Sequence, residues 1–454
     1  MASTWVAVVL AAGKGARMRS RIPKVLHPVC GQPMLLYPLN AVRDAGVKRR
    51  VVVASPENQA HVTQLLGDSV EYAYQSRPLG TGHALLQAMP LLRGQATHLL
   101  VTNGDLPLIR SETLAAMMSL HRGSRAAVTI LTSRATPVQA MGRVVRDSQG
   151  NVTTVVEEAD ATGPQQAIQE MNAGAYCFRA SWLWRNLPLL IPSGKGELYI
   201  TSLVGVAAAQ GERVEALAAT EPWEAQGVNN RIELARVEGV LRQRIRERWM
   251  LAGVTILDPS TTYIDASVEL AEDTVVLPNT MLLGATQVGG QCRIGPNAMI
   301  RDSAIGERCV VIASVLEEAT LEAGVTIGPF SHLRPGAYLE AGVHLGNFAE
   351  VKNSRLGRGV QMGHFGYVGD ADIGEGVNLG AGAITCNFDG SKKNRTVVEE
   401  GAFIGSDTML VAPVRVGARA RTGAGAVVIR DVPPDSLAVG VPARIVKGKR
   451  APVS

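Results

Sequence analysis

The sequence predicts two scaffolds in one chain: an α/β domain with a mainly parallel sheet, then a solenoid built on a six-residue repeat. Up to about Gly227, short apolar runs alternate with helical stretches: Val6–Leu10, Met34–Ala45, Val51–Ala54, Gly82–Met89 and His98–Val101. From there the pattern changes. Ile264, Leu270, Val276, Leu282, Val288, Ile294 and Ile300 place aliphatic side chains at an unbroken spacing of six. Neither a helix nor a simple strand has that period. A solenoid does, because each rung buries its aliphatic face only against the next. The length of 454 residues, more than one core usually supports, agrees with at least two domains.

The repeat slips after Ile300 and resumes through Leu321, Ile327, Leu333, Leu339, Leu345 and Val351. It continues through Leu356, Met362 and Val368, and last through Val398, Ile404, Leu410 and Val416. It resembles the hexapeptide repeat of the left-handed parallel β-helix, in which three hexads make a triangular coil, implying about nine or ten coils over residues 264–430. Between Asn230 and Met250, Val237, Val240, Leu241 and Ile245 stand at helical spacing within a strongly charged stretch. This reads as a connecting helix whose arginines form a solvated face. After Val428 the coil pattern decays into a basic tail.

Composition narrows the function classes. An aromatic content of 4% suits aliphatic-filled coils and argues against base-stacking surfaces, and a net charge of +5 is small for a polyanion track. Small phosphorylated molecules are the expected partners, not nucleic acid or membrane. Cys30, Cys177, Cys292, Cys309 and Cys386 are scattered without metal-ligand or disulfide spacing, which fits a reducing, cytoplasmic setting. The apolar run Trp5–Ala12 leads straight into a glycine loop and reads as a buried strand, not a signal peptide.

That loop, Leu10-Ala-Ala-Gly-Lys-Gly-Ala-Arg-Met18, follows a strand and is expected to open a helix, a place where backbone N–H groups favour phosphate. Gly13 and Gly15 permit close approach, while Lys14, Arg17 and Lys24 crowd three cations near one turn. Neither the P-loop nor the dinucleotide spacing is present. Asn103-Gly104-Asp105 lies just past the carboxyl end of a predicted strand, where ligands gather in open α/β sheets. Together these strings resemble the sugar-1-phosphate nucleotidyltransferases, a Rossmann-like family. The resemblance implies that Leu10, Ala11, Ala12, Gly13, Lys14, Lys24, Asn103 and Gly104 line the nucleotide site. It also implies that Gln75, Gly80 and Thr81 read the base, that Gly142, Glu157 and Asn172 contact the sugar, and that Asp105 and Asn229 hold Mg2+. Lys24 and Arg17 would stabilise the charge that develops as a sugar phosphate attacks the α-phosphorus of UTP.

Three disturbances of the hexads carry the chemistry of the second half: Ser331-His-Leu-Arg334, Gly363-His364-Phe-Gly-Tyr367, and the insertion Thr385-Cys-Asn387 to Lys393. With the N-terminal motifs they resemble, over nearly the whole chain, the bacterial family of bifunctional N-acetylglucosamine-1-phosphate uridyltransferases and glucosamine-1-phosphate acetyltransferases. The resemblance implies His364 as general base, a role suited to imidazole. Arg334, Lys352, Tyr367, Asn378 and Lys393 would form the sugar-phosphate site, and Ala381, Asn387, Phe388, Ser406 and Ala424 the acetyl-CoA contacts. The domains would be 1–229 (uridyltransferase), 230–250 (connecting helix) and 251–454 (acetyltransferase β-helix with its basic tail), assembled as a homotrimer. Two departures stand out. Phe388 replaces a common tyrosine, and the arginine some relatives carry near residue 440 for the coenzyme phosphates is missing, leaving Arg444, Lys447, Lys449 and Arg450 as replacements.

Two other readings compete: a single-activity sugar-1-phosphate nucleotidyltransferase whose solenoid is structural or regulatory, and a non-catalytic interaction subunit of the translation-exchange-factor kind. Arg334, Lys352, His364 and Lys393 argue against the first, and Lys24, Asp105 and Asn229 against the second.

Overall fold

The structure is a computed structural model that describes residues 4–134, 141–194 and 196–446. Two compact units result, residues 1–241 and 242–454, with the division inside the 21-residue helix Arg231–Leu251.

The first unit is built on a sheet ordered Val214–Ala218, Val128–Arg134, Glu170–Arg179, His98–Asn103, Trp5–Leu10, Arg50–Ala54, Glu71–Tyr74. All pairings along this path are parallel except those of Glu170–Arg179, which runs antiparallel to both neighbours. The expected mainly parallel α/β domain is therefore present. Its central strands are buried on both faces: Val6, Val8, Val53, Leu99 and Val101 pack to one side, Ala7, Leu100 and Cys177 to the other. Trp5–Leu10 and His98–Asn103 lie side by side, with Leu10 opposite Asn103, so the two loops that follow these strands emerge together. One expectation fails. The glycine loop opens only a 3-10 turn, Ala16–Met18, bounded by left-handed Gly15 (φ 62) and Arg19 (φ 48), and the first α-helix begins at Leu36. No α-helix dipole therefore assists this loop.

At the amino ends of the same strands, Trp5 stacks on His98 (centroids 4.9 Å apart) and His98 meets His121 edge-on (5.2 Å). His121 is fully buried, with Nδ1 2.9 Å from the Thr129 hydroxyl and Nε2 unpartnered. Burial, helped by His98 and Arg179, lowers its pKa from 6.5 to about 3. Above pH 6.5 the imidazole is neutral in both folded and unfolded chains; below it, only the unfolded chain takes up the proton. Stability of this unit is expected to fall by up to about 1.4 kcal/mol per pH unit as pH drops below 6.5. Thermal unfolding between pH 5 and 8 checks this: His121→Leu should flatten the acid slope, and an unchanged slope would reject the assignment.

The second unit is a parallel β-helix of three sheets with 12, 10 and 9 strands. The strands are mostly two or three residues long, and the aliphatic residue of each points inward: Ile264, Val276, Leu282, Ile294 and Ile300 are all 2% exposed or less. Each contributes roughly 1.5–3 kcal/mol by burial. The slip after Ile300 is not a break in the solenoid. Ile300 to Ile305, Val311 to Leu316 and Leu316 to Leu321 are spaced by five, and a single left-handed residue turns each of these corners: Asp302 (φ 48), Ala313 (φ 41) and Glu318 (φ 47). In-register pairing continues through them. None of the five cysteines is in a disulfide; Cys292 and Cys309 stack in successive coils, their thiols donating to the Gly306 (3.0 Å) and Glu322 (3.1 Å) carbonyls.

Within the helix Arg231–Leu251, Val237, Leu241 and Ile245 are buried. Its arginines keep only part of the solvated face expected of them: Arg231, Arg236 and Arg248 are exposed. Arg242 lies over the Tyr263 ring (4.1 Å), Arg248 over Trp249 (4.6 Å), and Arg246 donates to the Thr262 carbonyl (3.3 Å). No helix among the described residues is long and apolar enough to cross a membrane.

Candidate active sites

In the first unit a cleft of about 900 Å³ opens at the carboxyl ends of the central strands, where an α/β sheet presents its loops. Leu10, Ala12, Gly13, Lys14, Arg17, Lys24, Gln75, Gly80, Thr81, Asn103, Asp105, Gly142, Glu157, Asn172 and Asn229 line it. Ala11 and Gly104 lie behind its wall: Ala11 N donates to Val53 O (2.8 Å), and Gly104 N to Leu10 O (2.8 Å).

The Lys24 ammonium organises the floor. It is ion-paired to Asp105 Oδ2 and lies 3.3 Å from Asn229 Oδ1, which also accepts from Arg17 (3.0 Å). Lys14 does not join this group; its ammonium lies 4.0 Å from Glu57. Backbone geometry sets this arrangement. At Gly15 a Cβ would stand 2.5 Å from the Lys24 Cβ, so only glycine lets the loop fold over that lysine, whereas a Cβ on Gly13 would meet nothing within 4 Å. Gly15→Ala is expected to cost about 1–2 kcal/mol from its left-handed backbone alone. It should also displace Lys24, lowering nucleotidyl transfer more than thermal stability; a kcat unchanged within twofold would contradict this role.

Asn229 is fixed by the start of the following helix. Asn230 Oδ1 accepts from Glu233 N (2.9 Å), and the Glu233 carboxylate accepts from Asn229 N (2.6 Å) and Asn230 Nδ2 (2.8 Å). This variant of the capping box was legible as Asn-x-x-Glu, although Glu233 was not singled out. Two protein oxygens, from Asp105 and Asn229, thus converge on one cation, the Lys24 ammonium. A divalent ion that keeps most of its ligands as water and phosphate fits such a pair.

Of the residues expected to contact the sugar, Glu157 accepts from the Thr201 hydroxyl (2.6 Å), and burial pushes its carboxyl above the ordinary range. Asn172 donates to the buried Tyr176 hydroxyl (2.7 Å), while its Oδ1 has no partner within the protein. Gly80 is left-handed (φ 97) and tight: a Cβ there would stand 2.5 Å from Leu198 O. Gln75 Nε2 donates to the Gly80 carbonyl (3.0 Å).

The solenoid residues fall into two groups. His364, Ala381, Ser406 and Ala424 share one corner of successive coils: Gly382 N donates to Phe365 O (2.7 Å), Asp407 N to Ala381 O (2.7 Å), and Gly425 N to Ser406 O (2.8 Å). Asn378 begins the strand that leads to this corner. Arg334, Lys352, Tyr367 and Asn387 lie along the next face and its far corner, joined by Lys393 from the insertion. Lys352 pairs with Gly369, and His364 precedes the same strand, so roughly 10–15 Å of extended backbone separates the two groups.

The second group is strongly cationic. The Lys352 ammonium is held below its ordinary pKa first by the neighbouring Lys393 ammonium, then by partial burial and Arg334. Like charges held together in this way suit an anionic ligand. Arg334 pairs with Glu350 (2.9 Å), a carboxylate the sequence reading did not single out. Asp389 shapes the insertion: its carboxylate accepts from the backbone of Ser391 and Lys392 (both 2.9 Å) and from Asn394 (2.8 Å), which holds its pKa far below the usual range. Phe388, 61% exposed, presents its ring outward. Arg444 is exposed, and Lys447, Lys449 and Arg450 lie outside the described residues.

Residues 7–176 match the MobA-like NTP transferase domain. The chain is 45% identical to the bifunctional protein GlmU of Heliobacterium modesticaldum over 434 residues, covering 95% of this chain and 94% of the relative. The chain belongs to the GlmU family. It is likewise 44% identical to the GlmU proteins of Trichlorobacter lovleyi (95% of each chain) and Exiguobacterium sibiricum (95% and 96%). GlmU membership covers both units, so the cleft and the solenoid cluster each fall inside the matched region, and the chain is a bifunctional transferase.

Proposed function

We propose that the solenoid transfers the acetyl group of acetyl-CoA to glucosamine-1-phosphate. The first unit then transfers a uridylyl group from UTP to the N-acetylglucosamine-1-phosphate, releasing pyrophosphate. The observation that carries this reading beyond a lone nucleotidyltransferase is that the match to bifunctional relatives spans 95% of the chain, and within the solenoid Lys352, Lys393 and Arg334 repel one another. A scaffold gains nothing from that repulsion; a phosphate bound there removes it.

In the cleft, Asp105 and Asn229 would hold magnesium, which supplies charge neutralisation on the phosphates. Arg17 and Lys24 reach the same point and stabilise charge on the α-phosphate and on the departing pyrophosphate. A phosphate monoester is already anionic near neutral pH, so the attacking oxygen needs orientation more than a base, which Glu157 and Asn172 provide through the sugar. In the solenoid, His364 accepts a proton from the glucosamine amine as its nitrogen attacks the thioester carbonyl. The C–S bond then breaks, and the coenzyme leaves as its thiol after protonation. The separation of His364 from Lys352 across one face favours a site completed between neighbouring copies, in keeping with a homotrimer.

The test supplies purified protein with UTP, magnesium and N-acetylglucosamine-1-phosphate, and separately with acetyl-CoA and glucosamine-1-phosphate. Pyrophosphate release is expected in the first and coenzyme A release in the second. Pyrophosphate without coenzyme A would favour a single-activity nucleotidyltransferase with a structural solenoid.

A further inference from the structure

Asn353 and Asp370 occupy equivalent places in successive coils. Each turns a corner where the aliphatic spacing is five (Val351 to Leu356, Val368 to Ile373), and each is left-handed, with φ 44 and φ 50. Such a backbone accepts Asn or Asp at low cost. Asn387, which opens the insertion, comes next in the stack. Asp370 is only 8% exposed, and both its oxygens are engaged: Oδ1 accepts from Asn353 Nδ2 (2.6 Å), and Oδ2 accepts from Asn387 Nδ2. The same Asn387 amide donates to the Tyr367 hydroxyl (3.3 Å). Tyr367 can lie back along the wall because residue 369 is glycine; a Cβ there would stand 2.2 Å from the hydroxyl. The Asp370 charge also offsets part of the repulsion that Lys393 and Arg334 exert on Lys352.

We propose that Asp370 is a positioning residue of the acetyltransferase site: its carboxylate fixes Asn387 and, through it, Tyr367, and so seats the insertion beside the Lys352–Lys393 anion site. The assignment rests on the acetyltransferase reading above. In Asp370→Asn one amide oxygen serves only one of the two asparagine donors, and its NH2 group opposes the other. The reciprocal double variant Asn353→Asp/Asp370→Asn restores both bonds. The new amide at 370 donates to the new carboxylate at 353 and accepts from Asn387, with left-handed-tolerant residues at both corners.

Coenzyme A release is measured on the full-length chain for kcat and both KM values, beside uridylyl transfer and thermal midpoints. Asp370→Asn is expected to lower the acetyl-transfer kcat at least tenfold and leave uridylyl transfer unchanged; the double variant should recover to within about threefold of wild type. Asn353→Gly, which removes only the lower donor at a glycine-compatible φ, is expected to cost two- to fivefold in kcat. A merely structural role would lower the midpoint without this kcat pattern or its reciprocal rescue. An Asp370→Asn protein as active as wild type, or a double variant no better than the single one, overturns the proposal. A wild-type protein that releases no coenzyme A overturns the acetyltransferase reading instead.

Discussion

Asp105→Ala is expected to abolish uridylyl transfer, with a loss of at least a hundredfold in kcat, and to leave acetyl transfer intact. Asp105 is ion-paired to the largely buried Lys24 at the floor of the cleft and stands two residues after the end of the strand His98–Asn103, which pairs with Trp5–Leu10. Removing it takes away the carboxylate of the proposed magnesium pair and the partner that orients Lys24. Asn229 and Arg17 would remain, so nucleotide binding should weaken less than turnover. Pyrophosphate release at saturating UTP and magnesium measures the loss, and a value within threefold of wild type would remove Asp105 from the machinery. Asp105→Asn, which keeps the shape but not the charge, should recover little if the role is metal binding.

The second large effect is expected at His364. His364→Ala should lower acetyl transfer by a hundred- to ten-thousandfold, the usual worth of a positioned base, without touching uridylyl transfer. His364 is exposed at the solenoid corner that also carries Ala381, Ser406 and Ala424, so its removal leaves no cavity in the core and little change in stability. Coenzyme A release measures it; retained acetylation would move the base to another group.

Much of the fold could be read in the chain because both scaffolds are periodic. The spacing of six names residues that are in fact buried, and the alternation before it names three central strands of the sheet, Trp5–Leu10, Arg50–Ala54 and His98–Asn103. The slip near Ile305 looked like an interruption because a corner shortened by one residue changes the linear period while leaving the in-register stack unchanged. Loop motifs could be read where they are contiguous, as for Gly13 to Lys24. The α-helix expected after the glycine loop is absent there, where left-handed Gly15 and Arg19 bound a 3-10 turn that spacing alone does not reveal.

Contacts between coils were beyond reach for a different reason. Glu350 meets Arg334, and Asp370 joins Asn353 to Asn387, across 16 or 17 positions of chain, and only the coil length brings those positions into register. Spacings of five are interspersed irregularly among those of six, so that length varies from coil to coil. Residues that hold the site together are therefore less legible than those that would touch substrate.

The central claim is that two separate sites in one chain carry out consecutive steps. A single reaction containing glucosamine-1-phosphate, acetyl-CoA, UTP and magnesium tests it most directly, with all phosphorylated species followed over time. N-acetylglucosamine-1-phosphate should rise and then fall as UDP-N-acetylglucosamine and pyrophosphate accumulate. Asp105→Ala should stop at the intermediate, His364→Ala should stall before it, and a mixture of the two variants should complete the sequence. Formation of UDP-N-acetylglucosamine by His364→Ala at the wild-type rate, or a mixture that makes none, would contradict two independent sites.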